Sequence, residues 1–243
     1  MKRILLFLII LSQVVFGEFD FSLYIPLGAM FSSPKIDALH FGGIYLENIK
    51  SDASIDVGVT ANFGHKFNIN SGNFISILTE IGYQRVDFAS SYFNLYEDFY
   101  TSEKQNLVFH TLNIGIMPKY GVDLDGILKN TVIGIGIGFG IKIALAYEYY
   151  STIDNRNHLK YSFKDIKEIF DCPFMPYVKF QIDYYFYFSK RVAFLFGVEI
   201  AYDFGMFYST YYMSREYCDF CKTKKYGFSG IEYLVNLGIK VGR

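Results

Sequence analysis

After residue 17 the side chains fall into two sets that alternate along the chain, and no other feature constrains the fold as strongly. Eight stretches show this period-two pattern, at about 18–31, 54–64, 74–85, 107–120, 131–150, 174–188, 192–204 and 230–241. One parity is apolar and bulky. In the fifth stretch it runs Ile133, Ile135, Ile137, Phe139, Ile141, Ile143, Leu145, Tyr147 and Tyr149. The other parity carries Asp20, Asp56, Glu80, Lys119, Lys142, Glu148, Lys179, Asp183, Glu199, Asp203, Glu232 and Lys240. It also carries glycines, most densely at Gly134, Gly136, Gly138 and Gly140. No Asp, Glu, Lys or Arg enters the apolar set. A period of two is the signature of strands with two unlike faces.

The stretches between the strands alternate in length. Those at 32–53, 86–106, 151–173 and 205–229 are long and polar, whereas 65–73, 121–130 and 189–191 are short. Strands joined this way run up and down, with the long connections at one end. No linker or low-complexity tract divides residues 18–243, so one all-β domain is expected. Ten strands, with an extra hairpin inside 37–49, is the structural alternative.

Alternation alone does not say which face is outside. A soluble lipocalin-like barrel would turn the apolar set inward. The reverse is favoured here on two grounds. A water-facing surface has little reason to discard four side chains in a row, whereas a crowded lumen uses glycine to make room for long or charged neighbours. The apolar parity is also too bulky for a narrow interior, and lipid sets no volume limit. Each stretch supplies the roughly 9–11 residues that a tilted membrane-crossing strand needs. Lipid offers backbone groups no partners, so the sheet must close. Tyr83, Tyr147, Tyr149, Tyr202 and Tyr233 fall towards the long-connection ends, and Phe63, Phe186, Phe188 and Phe194 towards the short ones. They read as two interfacial girdles.

The N-terminus supports export. Lys2 and Arg3 precede the apolar run 4–11, and Val15 and Gly17 sit at the −3 and −1 positions of a cleavage site before Glu18, so 1–17 is expected to be a signal peptide. The chain is 51% hydrophobic and 20% aromatic, which excludes disorder. A net charge of −1 without a basic block disfavours nucleic acid as a partner.

The signal peptide, the eight alternating segments and the asymmetric connections make 18–243 resemble the OmpA/OmpX-like outer-membrane β-barrel family. Local echoes are the Gly-laddered strand at 133–149 and the strand at 111–122 that ends at Pro118-Lys119-Tyr120. The chain departs from that family by ending Lys240-Val241-Gly242-Arg243 instead of in an aromatic residue. The resemblance implies a transmembrane, antiparallel, eight-stranded up-and-down barrel with long extracellular loops and short periplasmic turns. It also implies outer-membrane lipid and the barrel assembly machinery as partners, and a lumen plugged by ion pairs. The expected network is Asp56, Glu80, Lys142, Glu148, Lys179, Asp183, Glu199, Asp203, Glu232 and Lys240. Pairing is expected physically as well, since isolated buried charges are costly.

Other candidates are fewer. Cys172, Cys218 and Cys221 lie in the third and fourth long connections, where export permits oxidation. A bridge from Cys172 to Cys218 or Cys221 is expected; a local Cys218–Cys221 bond and a zinc site with His158 are the alternatives. His110 is on the outward parity, but Leu112 stands two residues on, so the His/Ser pair of lipid A hydrolase barrels is absent. The Gly134-x-Gly136-x-Gly138 run places Phe139 where a dinucleotide fingerprint needs its third glycine. Arg215, Lys222, Lys224 and Lys225, interleaved with tyrosines, are possible contacts for an anionic glycan or lipopolysaccharide, or simply a solvated loop tip. Ser162-Phe163-Lys164-Asp165 suits the cap of a short helix reaching Phe170. No cofactor, metal or catalytic site is expected. The function expected is a surface-exposed anchor whose loops bind a host or glycan ligand or shield the cell; a narrow channel and a secreted carrier are the alternatives.

Overall fold

A computed structural model describes residues 18–35, 39–41, 44–70, 72–96, 99–124, 128–151, 159–209 and 227–242. Residues 1–17, His158, Arg215, Cys218, Cys221, Lys222, Lys224 and Lys225 lie outside them. The elements are β1 (Glu18–Lys35), β2 (Leu39–Phe41), β3 (Ile44–Ser51), β4 (Ala53–Asn70), β5 (Asn73–Tyr96), β6 (Phe99–Asp123), β7 (Thr131–Ser151), β8 (Leu159–Ser162), α1 (Phe163–Ile169), β9 (Phe174–Tyr187), β10 (Val192–Asp203) and β11 (Gly227–Val241).

Eight of these strands form a closed wall in the order β1-β4-β5-β6-β7-β9-β10-β11, and every neighbour is antiparallel. The first and last strands close the ring, with Phe21 opposite Val241 and Phe31 opposite Ile231. Closure gives every staff of the wall a ladder on both sides, which removes the sheet edge. The barrel is the eight-stranded up-and-down fold expected from the alternation.

The faces sort as the second argument required. Ile137, Phe139, Phe196 and Leu237 are each more than half exposed on the outer wall, whereas Asp56, Asp183, Asp203 and Asn236 are fully buried inside. This excludes the lipocalin-like arrangement, which needs an apolar interior. Short turns use residues suited to them: Gly72 at φ 110° and Asn130 at φ 60° supply left-handed backbone in the first two. In the third, the Ser189 hydroxyl accepts the amide of Val192 at 3.0 Å.

The structure departs from the sequence expectation in two places. Stretches 32–53 and 86–106 are not irregular loops. β5 and β6 continue as a hairpin to Tyr96 opposite Phe99, and β2–β3 lies along its flank, with Leu46 opposite Asn94 and Ser51 opposite Ser90. The extra hairpin inside 37–49 therefore exists but does not widen the wall. In that stretch both parities of β5 and β6 are polar in sequence, as at Ser90, Ser91, Thr101 and Ser102, and the ladder continues without the alternation. The second departure is a β-bulge. His110 pairs with Ala146 but Thr111 pairs with Ala144, which leaves Leu145 unmatched. Beyond it the parity of β7 inverts. Tyr147 turns inward and is buried, contrary to its expected place in the outer girdle.

Candidate functional site

The inward side chains stack in layers from the short-turn end to the long-loop end. The lowest layer is aromatic and aliphatic: Phe74, Val132, Tyr185, Tyr187, Ala193 and Leu195, with Tyr24 above them. Over it lie two ion pairs. Lys240 bonds Asp20, which also accepts the Ser76 hydroxyl at 2.7 Å. Lys119 bonds Asp183, whose carboxylate also accepts Tyr185 Oη and Gln181 Nε2, each at 2.8 Å.

The middle layer is centred on Lys179, 2.6 Å from Glu80 and 3.3 Å from Glu199. Glu80 also accepts the hydroxyls of Tyr177 at 2.7 Å and Tyr24 at 3.2 Å. Glu199 accepts the Asn236 amide at 3.1 Å. The upper layer is centred on Lys142, 2.7 Å from Asp203 and 2.5 Å from Glu232. Gln84 donates to Glu232 at 3.0 Å and accepts from Asn113 at 2.9 Å. Asp56 accepts the Asp87 amide at 2.8 Å. The space between middle and upper layers is lined by Tyr24, Glu80, Lys142, Tyr177, Lys179 and Glu232, among others, and has room for about one water molecule.

The glycine ladder explains how these layers fit. A Cβ on Gly138 would stand 2.9 Å from Lys179 Cγ, and one on Gly140 2.7 Å from Tyr177 Oη and 2.3 Å from the Ile114 carbonyl. The bare backbone of β7 thus makes room for the long side chains of β6 and β9.

An apolar cap closes the outer mouth. Met30, Val86, Phe88, Phe109, Ala144, Tyr147, Met175, Met206 and Phe228 pack against Ile166, Ile169 and Phe170. Phe109 stacks on Tyr147 at 5.0 Å and meets Phe170 edge-on at 5.8 Å. Ile166 and Ile169 come from α1, the short helix read from the sequence. Its start is capped by Asp165, which accepts both the amide and the hydroxyl of Ser162 at 2.7 Å. The mouth is therefore roofed by the third long connection.

The structure brings Asp56, Glu80, Lys142, Lys179, Asp183, Glu199, Asp203, Glu232 and Lys240 into one interior, with Asp20 and Lys119. Glu148 does not join them. Beyond the Leu145 bulge it faces the outer wall, 2.9 Å from Lys160 and 3.8 Å from His110. Its expected luminal place is corrected by the same inversion that buries Tyr147. The hydroxyls of Tyr24, Tyr177 and Tyr185 are network members that a search for charge alone misses; their inward parity was visible. Cys172 is exposed just after α1. The Asp171 amide bonds the Phe207 carbonyl at 3.0 Å, which puts Cys172 beside the root of the connection that carries Cys218 and Cys221. Among the described residues, no group of three or more His, Cys, Asp or Glu side chains is arranged to hold a metal ion.

No protein-family model matches the sequence. No curated protein matches it either. Solved structures similar to it include Neisserial surface protein A, at 12% identity over 92% of this chain and 97% of that one, with a TM-score of 0.41. The outer membrane protease OmpT from Escherichia coli is 7% identical over 93% and 97%, with a TM-score of 0.43. Ail, the attachment invasion locus protein of Yersinia pestis in complex with the heparin analogue sucrose octasulfate, is 9% identical over 92% and 99%, with a TM-score of 0.36.

Proposed function

We propose that this protein is an integral outer-membrane anchor whose work is done by its surface-facing connections and not by its lumen. The observation that carries the reading is the packed interior of the described residues: ion-paired layers between an aromatic floor and an aromatic cap, with room for about one water between the middle and upper layers. An eight-stranded wall is only wide enough for side chains to fill it. The outer belt of Ile, Phe, Val and Leu supports the membrane setting, because such a surface in water would aggregate. Outer-membrane lipid is then the first partner, and the barrel assembly machinery is the partner that inserts the chain. Residues 1–17 act in this reading as the cleaved export signal.

The partner at the surface is a host molecule or an anionic glycan, with Arg215, Lys222, Lys224 and Lys225 of the fourth connection as its contacts. Ail was solved with a sulfated sugar analogue bound, which is a reason to include sulfated glycans among the probes. The reading is tested by planar-bilayer recording of the purified mature chain. Silence at voltages that open wide barrels is expected. A steady conductance would replace the anchor with the narrow-channel alternative.

A further inference from the structure

The outer wall is uneven where the apolar belt ends towards the long loops. At that level the ends of β1, β9 and β11 present Phe31, Phe174 and Tyr233, and β10 the half-buried Tyr202. The adjoining strands β5 to β8 add Arg85, His110, Glu148 and Lys160 among the exposed Tyr83, Tyr150 and Leu159. Arg85 and His110 are direct cross-strand partners. Glu148 is well occupied: it takes Lys160 at 2.9 Å and the Tyr150 hydroxyl at 2.6 Å, with His110 at 3.8 Å. The second ring nitrogen of His110 meets the Tyr83 hydroxyl at 2.5 Å.

Arg85 is held far more loosely. Its guanidinium lies 3.9 Å from Asp87 and 3.5 Å from the Ile55 carbonyl, both at the limit of a useful contact. A guanidinium offers five N–H donors in a fixed fork that matches phosphate. More than a third of this side chain is exposed, on the parity of β5 that carries the exposed Ile81 and Tyr83; in the membrane setting proposed above it stands where the apolar wall ends. A cation at that depth is costly without a counter-ion. Asp87, nearly buried, pairs with it only at 3.9 Å, so among the described residues the guanidinium keeps N–H donors for a second anion.

We propose that Arg85 holds the phosphate of a lipid headgroup in the outer leaflet. The apolar wall below, with Ile81 and Ile114 exposed, lies where the acyl chains of such a lipid run. The site gives the barrel one preferred lipid on one sector, fixing its depth and its lipid-facing orientation. This inference rests on the membrane setting proposed above.

The test refolds the mature chain into phosphatidylcholine vesicles that contain a trace of spin-labelled phosphatidic acid. Electron spin resonance then separates wall-bound from bulk label. Phosphatidic acid is expected to be enriched at the wall relative to labelled phosphatidylcholine, and Arg85→Gln to remove most of that excess, a factor of about five for one cation at a charged surface. Lys164→Gln, which removes a cation from α1, leaves the enrichment unchanged. Each variant is checked for insertion by its boiling-dependent gel mobility. A wild-type chain that does not insert overturns the membrane setting itself. An inserted barrel without enrichment, or with equal enrichment in Arg85→Gln, overturns the headgroup site alone. Displacement by millimolar inorganic phosphate would make free phosphate the ligand and overturn the lipid assignment.

Discussion

Lys142 reaches two carboxylates from two other strands, Asp203 at 2.7 Å and Glu232 at 2.5 Å, in a layer with almost no access to water. Breaking such a cluster from one side leaves uncompensated charge, at about 3–5 kcal/mol, whereas replacing the whole cluster with matched neutral groups is nearly neutral. Lys142→Met is therefore expected to lower markedly the temperature at which the folded gel band is lost. Lys142→Met combined with Asp203→Asn and Glu232→Gln should recover most of the loss. Equal behaviour of the single and triple variants would show that the pairing contributes nothing.

The glycine ladder predicts a graded response along one strand. At Gly140 an added methyl meets the Ile114 carbonyl at 2.3 Å, and backbone cannot step aside. At Gly134 the nearest atoms are side-chain carbons of Tyr185 at 3.1 Å and Lys119 at 3.3 Å, which need shift only slightly. Gly140→Ala should reduce the yield of folded barrel, by an overpacking cost of about 1–3 kcal/mol. Gly134→Ala should refold nearly as the parent. Refolding yield on cold gels measures both.

For the cysteines we propose a cross-loop bridge. Asp171 is tied to Phe207, and the Ser209 amide bonds the Ile169 carbonyl at 2.8 Å, so the roots of the third and fourth connections are already held together. Peptide mapping of exported protein without reduction should yield a peptide pair joining Cys172 to Cys218 or Cys221. Recovery of Cys172 as a thiol beside a Cys218–Cys221 bond would favour the local alternative.

The start of α1 carries a small pH dependence. The Ser162 hydroxyl and amide donate to Asp165 and hold its carboxyl below the usual carboxylate range. A group whose folded pKa is depressed contributes stability above its unfolded pKa and loses it as pH falls through the folded value. Ser162 amide exchange should thus stay slow at neutral pH and quicken in acid, below the range where free aspartate titrates. Asp165→Asn should flatten that dependence.

The alternation, a one-dimensional signal, determined the number of wall strands, the connection lengths their up-and-down order, and the glycine ladder with the bulk of the apolar parity which face is outside. It holds wherever one face forms the apolar outer wall and the other a crowded interior, as the Ile133–Phe139 run shows. It weakens where that contrast ends. Ser90, Ser91 and Asn94 on β5 and Thr101, Ser102 and Gln105 on β6 are polar on both parities, so their long hairpin was not legible although its ladder is continuous.

The partners of the luminal charges were settled only by tertiary structure. Lys240 finds Asp20 across 220 residues of chain, and Gln84 finds Glu232 across 148. Such pairings depend on the stagger of eight strands around a closed ring, which no single segment encodes. The same is true of Glu148 and Tyr147. Their parity looked continuous with the rest of β7, yet one unmatched residue, Leu145, turns the tyrosine into the mouth and the glutamate onto the wall beside His110. The sequence by itself determined which face each regular position takes. The register between distant strands, and the bulge that resets it, decided which side chains meet.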